Sequence, residues 1–281
     1  MSAMPALVST DWLARELGAA NLRVLDASWY LPQLKRDPKA EFAAQHIPGA
    51  AYFDIDAISD AAVPLPHTFP SAEQFARQVG ALGVGTGDRV ICYDGLGLFS
   101  AGRAWWMFRA MGHDAVAVLD GGLPKWRAEG RATELGTPRP PARVFKAAVR
   151  PQLIRYFDQM RANVDGKREQ VLDARARGRF TGAEPEPRPG VRGGHIPGAM
   201  NLPYNEIVDP KTGTVLPPEE LRRRFSAAGI DLSKPVVTSC GSGITASALA
   251  LGLYLAGKTD AAVYDGSWSE WGGRTDTPVE T

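Results

Sequence analysis

The stretch Val236-Val237-Thr238-Ser239-Cys240-Gly241-Ser242-Gly243-Ile244-Thr245 places a cysteine between a buried strand and a helix. Its first three residues are β-branched, which is typical of a short strand covered on both faces of a parallel sheet. The apolar run from Ala246 to Ala256 then predicts a helix. Strand, glycine-containing turn and helix in this order predict an α/β domain that binds ligands where its strands end.

The turn itself predicts a reactive thiol at Cys240. Gly241 and Gly243 lack side chains, so successive backbone N–H groups can turn inward. The following helix directs the positive end of its dipole at the same point, and we expect Thr245 to cap it. Both effects favour the thiolate, which is the nucleophilic form of cysteine. A buried core thiol is the alternative interpretation.

The chain contains an internal repeat. Val24-Leu25-Asp26-Ala27 recurs as Val171-Leu172-Asp173-Ala174, and His46-Ile47-Pro48-Gly49-Ala50 recurs as His195-Ile196-Pro197-Gly198-Ala199. A period of nearly 150 residues is too long for a solenoid unit, so each copy must be a domain with its own core. The histidines of the repeated pentapeptides occur in both copies, which indicates a structural role at the Pro-Gly turn.

Within each copy, short apolar runs alternate with helical patterns, which predicts a doubly wound α/β domain with a mostly parallel sheet flanked by helices. The predicted organisation is an N-terminal domain at residues 1–136, a linker at 137–150 and a C-terminal domain at 151–281. The linker assignment depends on the Pro-rich run Thr137-Pro138-Arg139-Pro140-Pro141, because proline fixes φ and removes backbone donors.

The first copy is predicted to be inactive. Asp94 follows the strand Val90–Tyr93 and lies 146 positions before Cys240, so a carboxylate occupies the position of the thiol. The other cysteine, Cys92, lies inside the apolar run of that strand, and we expect it to be a packed core thiol.

Composition excludes several classes of partner and site. The 281 residues include 32 basic and 31 acidic side chains, a net charge of +1 that gives no reason to expect a nucleic-acid or anionic-membrane partner. Two cysteines without metal-ligand spacing predict neither a disulfide framework nor a metal site. The first residues lack the pattern of a secretory signal, and no apolar run reaches about 20 residues, so we expect a cytoplasmic location.

The residues described so far resemble the tandem-domain rhodanese-type sulfurtransferases. The resemblance runs from Asp26 to Trp271 and includes both His-Ile-Pro-Gly-Ala segments. Cys-Gly-Ser-Gly-Ile-Thr at 240–245 is similar to the loop of 3-mercaptopyruvate sulfurtransferases, whereas members that prefer thiosulfate carry basic residues just after the cysteine. Gly241 and Ser242 occupy those places here. The resemblance therefore implies two rhodanese-like domains, of which the second is catalytic.

The resemblance also implies roles for individual residues. The segment from Gly178 to Arg188 matches the one that contributes two donor-binding arginines, and a guanidinium suits a carboxylate because it binds with two parallel hydrogen bonds. The implied catalytic residues are Cys240 and a serine–histidine–aspartate relay at Ser242, His67 and Asp56. The implied substrate-binding residues are Arg179, Arg188, Gly241, Gly243, Ile244 and Thr245.

The implied activity is transfer of sulfane sulfur from 3-mercaptopyruvate to a thiol or cyanide through a Cys240 persulfide, with release of pyruvate. Expected acceptors are thioredoxin, glutathione or another small thiol, and no metal or organic cofactor is expected. Two alternatives stay open: a thiosulfate:cyanide sulfurtransferase, and a sulfur-carrier module that does not turn over small donors. A cysteine phosphatase is disfavoured, because position 246 is alanine where that chemistry needs a phosphate-binding arginine.

Overall fold

Two five-stranded parallel sheets, one from each sequence copy, organise the chain. The computed structural model describes residues 4–281 and divides them into two compact units. The first unit comprises the described residues up to Ile58, together with Pro70–Val149 and Pro210–Val215; the second comprises Ser59–Phe69, Arg150–Asp209 and Leu216–Thr281.

The first unit has five strands in the spatial order β1-β5-β4-β2-β3, and all neighbouring pairs are parallel. The strands are β1 (Leu7–Val8), β2 (Leu22–Asp26), β3 (Ala50–Tyr52), β4 (Arg89–Tyr93) and β5 (Val116–Leu119). The helices are α1 (Thr10–Glu16), α2 (Pro38–Ala44), α3 (Ile55–Ile58), α4 (Ala72–Ala81), α5 (Ala101–Ala110) and α6 (Gly122–Ala128).

The second unit repeats this topology in the order β6-β10-β9-β7-β8, again all parallel. Its strands are β6 (Ile154–Arg155), β7 (Gln170–Asp173), β8 (Met200–Asn201), β9 (Val236–Ser239) and β10 (Ala262–Tyr264). Its helices are α7 (Phe157–Gly166), α8 (Arg177–Phe180), α9 (Pro218–Ala227), α10 (Ile244–Leu255) and α11 (Ser267–Trp271). The predicted pair of α/β folds with parallel sheets is confirmed.

The cores are duplicated along with the sheets. Trp126 and Trp271 occupy equivalent places in the two cores, both are buried, and each indole N–H donates to a backbone carbonyl six or seven residues further on. A buried tryptophan needs such a partner for its N–H, so the repeated residue preserves both the packing and the hydrogen bond. No helix within residues 4–281 is long and apolar enough to cross a membrane.

The compact units do not coincide with the two sequence copies. Ser59–Phe69 comes from the first copy but belongs to the second unit, where the Phe69 N–H donates to Asp265 at 2.8 Å. Pro210–Val215 comes from the second copy but belongs to the first unit, where the Val215 N–H donates to Asp120 at 2.8 Å. Asp120 and Asp265 are equivalent positions of the repeat, so the exchange of segments is reciprocal.

Residues 137–150, the segment predicted to be a linker, pack for the most part against the first unit. Phe145 is buried and makes edge contacts with the rings of Phe75 and Phe108. The guanidinium of Arg143 donates to both oxygens of Asp88 at 2.8 and 2.9 Å. The segment therefore adds to the core and to an ion pair although it forms no helix or strand.

One buried carboxylate differs between the two copies. Asp26 at the end of β2 is buried with Ser28 as its close polar neighbour, and burial raises its pKa to about 6 although the Ser28 N–H donates to it at 2.9 Å. Its counterpart Asp173 at the end of β7 is paired instead with the guanidinium of Arg175, which occupies the position equivalent to Ser28. The first copy therefore keeps a buried acid without a cation.

Asp26→Asn is expected to have a higher free energy of unfolding than the wild type, and this difference should increase as the pH rises. Because the folded-state pKa lies above the usual value of 3.8, ionising Asp26 costs folding free energy as the pH rises from about 4 through about 6. At about 1.4 kcal/mol per pKa unit, the advantage of the variant should grow by about 2–3 kcal/mol between about pH 4 and about pH 8. Urea unfolding at both pH values measures it, and a constant or shrinking advantage would contradict the assignment.

Candidate active site

Cys240 follows the central strand β9 and is the first residue of the short turn into α10. Its side chain is only 2% exposed. The segment after β10 holds the backbone on both sides of the thiol: the Cys240 carbonyl accepts from the Trp268 N–H, and the Gly241 carbonyl accepts from the Ser269 N–H, both at 2.8 Å. The Cys240 N–H donates to Ser267 Oγ at 3.3 Å. The cysteine is thus fixed between two strand ends.

The turn Cys240–Gly243, here called the cysteine loop, is shaped by its second glycine. Gly243 has φ of +82° and is the N-cap residue of α10, a conformation that glycine adopts without strain. No side chain caps this helix, and Thr245 lies inside its first turn. The expectation that Thr245 caps the helix is therefore wrong, because the left-handed glycine already occupies the capping position.

Ser242 and His67 are in contact within the second unit. Ser242 Oγ lies 2.8 Å from His67 Nδ1, and both side chains are buried. His67 has φ of +61°, which is uncommon for a residue with a side chain and marks a constrained backbone. Asp56, the third predicted member, lies in α3 of the first unit, where its carboxylate accepts from the Trp29 indole N–H at 3.1 Å.

Both predicted arginines approach the cysteine loop at Gly241. A Cβ placed on Gly241 would lie 3.1 Å from Arg179 Nη2 and 3.8 Å from Arg188 Nη1. Arg179 belongs to the short helix α8, and its guanidinium is held by Glu186. Two cations therefore lie within a few ångströms of the residue next to the thiol, as a binding site for an anionic substrate requires.

The loop at the equivalent place in the first copy, Asp94–Ser100, is three residues longer than the cysteine loop and holds a carboxylate. Asp94 is fully buried, and its carboxylate accepts four backbone N–H groups, each at 2.8 Å. The four donors, all from the loop after β4 and the start of α5, are Leu96, Phe99, Ser100 and Ala101. The first copy thus surrounds an anion with inward amides at the position where the second copy has Cys240.

Cys92 and the two histidines of the repeated pentapeptides have the structural environments that the sequence predicts. Cys92 is fully buried in β4, and burial alone raises the pKa of its thiol far above the usual range, which confirms the predicted core thiol. His46 and His195 each place Nδ1 2.9 Å from a backbone carbonyl oxygen, which agrees with a structural role. Among the residues that the structure describes, no group of three or more potential ligands is arranged to hold a metal ion.

The sequence interpretation did not include Ser267, Arg175 or Glu186. Ser267 has φ of +49°, and its hydroxyl donates to the Tyr264 carbonyl while accepting from the Cys240 N–H. The repeat held a signal for it, since the equivalent residue of the first copy is Gly122, a residue type that favours the left-handed conformation that both adopt. Arg175 and Glu186 have buried ionic side chains between β7 and Arg179, and the contrast between Arg175 and Ser28 in the repeat could have indicated Arg175 but not Glu186.

Comparisons with known proteins agree with the duplicated site. The profile of the rhodanese-like domain matches residues 9–129 and 157–274. The chain is 49% identical over 272 residues to human 3-mercaptopyruvate sulfurtransferase, covering 95% of this chain and 91% of that protein. It is 44% identical to the mitochondrial thiosulfate/3-mercaptopyruvate sulfurtransferase 1 of Arabidopsis thaliana, covering 100% of this chain and 79% of that protein.

A similar structure is also known. The crystal structure of SseA from Escherichia coli, described with the rhodanese fold and the mechanism of 3-mercaptopyruvate sulfotransferases, superposes with a TM-score of 0.86 at 37% identity. It covers 94% of this chain and 99% of that protein. The resemblance inferred from the sequence motifs is confirmed.

Proposed function

Because the chain belongs to the rhodanese-like family, we propose that it is a sulfurtransferase that takes sulfur from 3-mercaptopyruvate and carries it as a persulfide on Cys240. The observation that carries this proposal is the placement of Cys240 at the start of α10 with the guanidiniums of Arg179 and Arg188 beside Gly241. A thiol next to two cations suits a donor that has both a carboxylate and a transferable sulfur.

In the first half-reaction, the Cys240 thiolate attacks the sulfur of the donor. The S–S bond forms, the donor's C–S bond breaks, and the electron pair of that bond leaves on carbon as the enolate of pyruvate. Arg179 and Arg188 bind the carboxylate and keto oxygens, so the negative charge that develops on the enolate oxygen meets a fixed cation. Loss of the proton that the donor thiol brings leaves the new persulfide as an anion, and one proton added to the enolate carbon completes pyruvate.

Ser242 and His67 are the groups we assign to that proton. Their 2.8 Å contact allows the hydroxyl to pass a proton while the imidazole exchanges one with it. Asp56 remains the predicted third member of the relay. The backbone N–H groups of Gly241, Gly243, Ile244 and Thr245 are the groups we assign to stabilising the persulfide anion.

In the second half-reaction, an acceptor removes the outer sulfur. A thiolate attacks it, a new S–S bond forms, and Cys240 leaves as a thiolate; cyanide accepts the same sulfur as thiocyanate. Thioredoxin, glutathione or another small thiol is the acceptor class we propose. We also propose a cytoplasmic location, although the Arabidopsis relative is named as mitochondrial.

Thiosulfate is the competing donor, since the Arabidopsis relative is named for both substrates. Gly241 and Ser242 add no positive charge directly after the cysteine, which favours a monocarboxylate over the thiosulfate dianion. Mass spectrometry after treatment with 3-mercaptopyruvate should show a gain of one sulfur atom on Cys240 that cyanide releases as thiocyanate. The ratio of kcat/KM for the two donors should favour 3-mercaptopyruvate by about tenfold or more, which corresponds to about 1.4 kcal/mol. A preference for thiosulfate would overturn the choice of donor.

A further inference from the structure

We propose that Glu186 is a positioning residue that fixes the Arg179 guanidinium for the carboxylate of the donor, and that Arg175 in turn fixes Glu186. Four side chains of alternating charge form this charge chain: Asp173, Arg175, Glu186 and Arg179. It starts at the end of β7 and ends beside Gly241 in the cysteine loop. The inference rests on the proposed function, because it concerns how the donor is bound.

Each link of the charge chain is a short hydrogen-bonded ion pair. Arg175 Nη2 lies 2.7 Å from Asp173 Oδ2, and Arg175 Nη1 lies 2.8 Å from Glu186 Oε1. Glu186 then accepts from Arg179 through Nη2 at 2.6 Å and Nε at 3.2 Å. A two-point contact between a planar guanidinium and a carboxylate fixes the plane of the guanidinium as well as its distance.

Burial makes the inner part of the charge chain rigid. The side chains of Asp173, Arg175 and Glu186 are 2%, 1% and 4% exposed, whereas that of Arg179 is 19% exposed. Buried charges persist only when their hydrogen bonds are satisfied, and breaking one link leaves an uncompensated charge. Of these four side chains, only that of Arg179 is exposed enough to contact a small substrate from solvent.

Arg175 also joins the loops that surround the thiol. Its Nη2 donates to the Gly194 carbonyl at 2.8 Å, and its guanidinium carbon lies 4.4 Å from the centre of the Trp268 ring. The backbone N–H of Trp268 donates to the Cys240 carbonyl. A single buried arginine therefore sets the position of Glu186 relative to the segment that supports the cysteine.

The first copy provides an internal comparison. Arg36 and Glu41 form a similar two-point ion pair, here called a fork, at positions that the repeat does not align with Arg179 and Glu186, and their side chains are 33% and 39% exposed. Glu41 accepts from the Tyr30 hydroxyl at 2.8 Å, and the position equivalent to Arg175 is Ser28. The arginine–glutamate fork thus occurs in both copies, whereas the buried anchor behind it occurs only in the copy that has the cysteine.

The test compares Glu186→Gln with a matched control, Glu169→Gln. Glu169 forms an equivalent fork with Arg155, at 2.8 and 2.7 Å, in the same unit but before the start of β7. Glutamine keeps the shape of the side chain but presents an N–H₂ group to the guanidinium, so the fork opens. We expect KM for 3-mercaptopyruvate to rise about tenfold or more in Glu186→Gln, with kcat changed less than about threefold. Glu169→Gln should leave both constants within about twofold of the wild type.

A donor without a carboxylate separates positioning from a general loss of structure. Mercaptoacetone has the thiol and the keto group of 3-mercaptopyruvate but no charge. Glu186→Gln should lower kcat/KM for 3-mercaptopyruvate about tenfold more than for mercaptoacetone, and Arg175→Lys should act in the same direction, because an ammonium cannot bridge two carboxylates in a fork. Equal losses with both donors, or an unchanged KM, would overturn the proposal.

Binding measurements separate this proposal from the proposed function. Pyruvate titrated into Cys240→Ser protein by calorimetry should bind at least about tenfold more weakly when Glu186→Gln is added. If the wild type does not turn over 3-mercaptopyruvate but this weakening is observed, the proposed function fails and the role of Glu186 stands. If pyruvate binds equally to the Cys240→Ser protein and to the double variant, or binds to neither of them, the role of Glu186 is overturned regardless of the turnover that the wild type shows.

Discussion

Cys240→Ser is expected to abolish sulfur transfer from every donor, with a loss of about 10³-fold or more in kcat/KM. A hydroxyl at this position has neither the acidity nor the sulfur affinity of a thiol, so no persulfide can form. Serine is close in size to cysteine, and the residue is held through its backbone by Trp268 and Ser267. The variant should therefore fold normally, which circular dichroism and urea unfolding would verify.

Cys92→Ala is the matched control for this loss. Cys92 is fully buried in β4 of the first unit, where its thiol has only a packing role. Its removal should cost about 1–2 kcal/mol of stability and change kcat/KM less than about twofold. Turnover by Cys240→Ser, or sulfur found on Cys92 after donor treatment, would contradict the assignment of the nucleophile.

Asp94→Ala is expected to lower the free energy of unfolding by about 3–5 kcal/mol. The substitution leaves four N–H groups, three of them buried, without the carboxylate that they now bind, and each unsatisfied buried donor costs about 1–3 kcal/mol before relaxation or water entry. Asp94→Asn keeps one acceptor oxygen and should lose less. Urea unfolding of the full chain measures all three proteins.

An exposed aspartate in the same unit is the control. Asp37 accepts from the N–H groups of Lys39 and Ala40 at the start of α2, and Asp37→Ala should cost only about 1 kcal/mol. Formate should raise the midpoint of thermal unfolding of Asp94→Ala but not that of the wild type, because it would occupy the vacated anion site. Equal losses for Asp94→Ala and Asp37→Ala would show that the buried amides do not form an anion site.

The part of the fold carried by local patterns was predictable from the sequence. The β-branched run before Cys240 and the apolar run after it indicated a strand and a helix, and the structure places β9 and α10 there. The capping detail was not predictable in the same way. Thr245 is a good capping residue by type, but a left-handed Gly243 took that role, and this choice depends on backbone angles that composition does not reveal.

The long-range ionic contacts were harder to predict. Arg179 and Arg188 were found because a family motif includes them, whereas Arg175 and Glu186 have no local pattern that pairs them. Ten residues, including the short helix α8, lie between the latter two, and only the folded chain brings Arg175 Nη1 to Glu186 Oε1. The assignment of Ser59–Phe69 to the second unit has the same origin, since its contact with Asp265 uses a backbone N–H that any residue type except proline carries.

The reciprocal segments have a consequence for the history of the molecule. A gene fragment that encoded residues 150–281 alone would omit His67 and the Phe69 amide, so it would specify an incomplete catalytic unit. Each compact unit includes a short segment that the other sequence copy encodes. A recombination break at the boundary between the two sequence copies would therefore divide both compact units, so the two halves are inherited together.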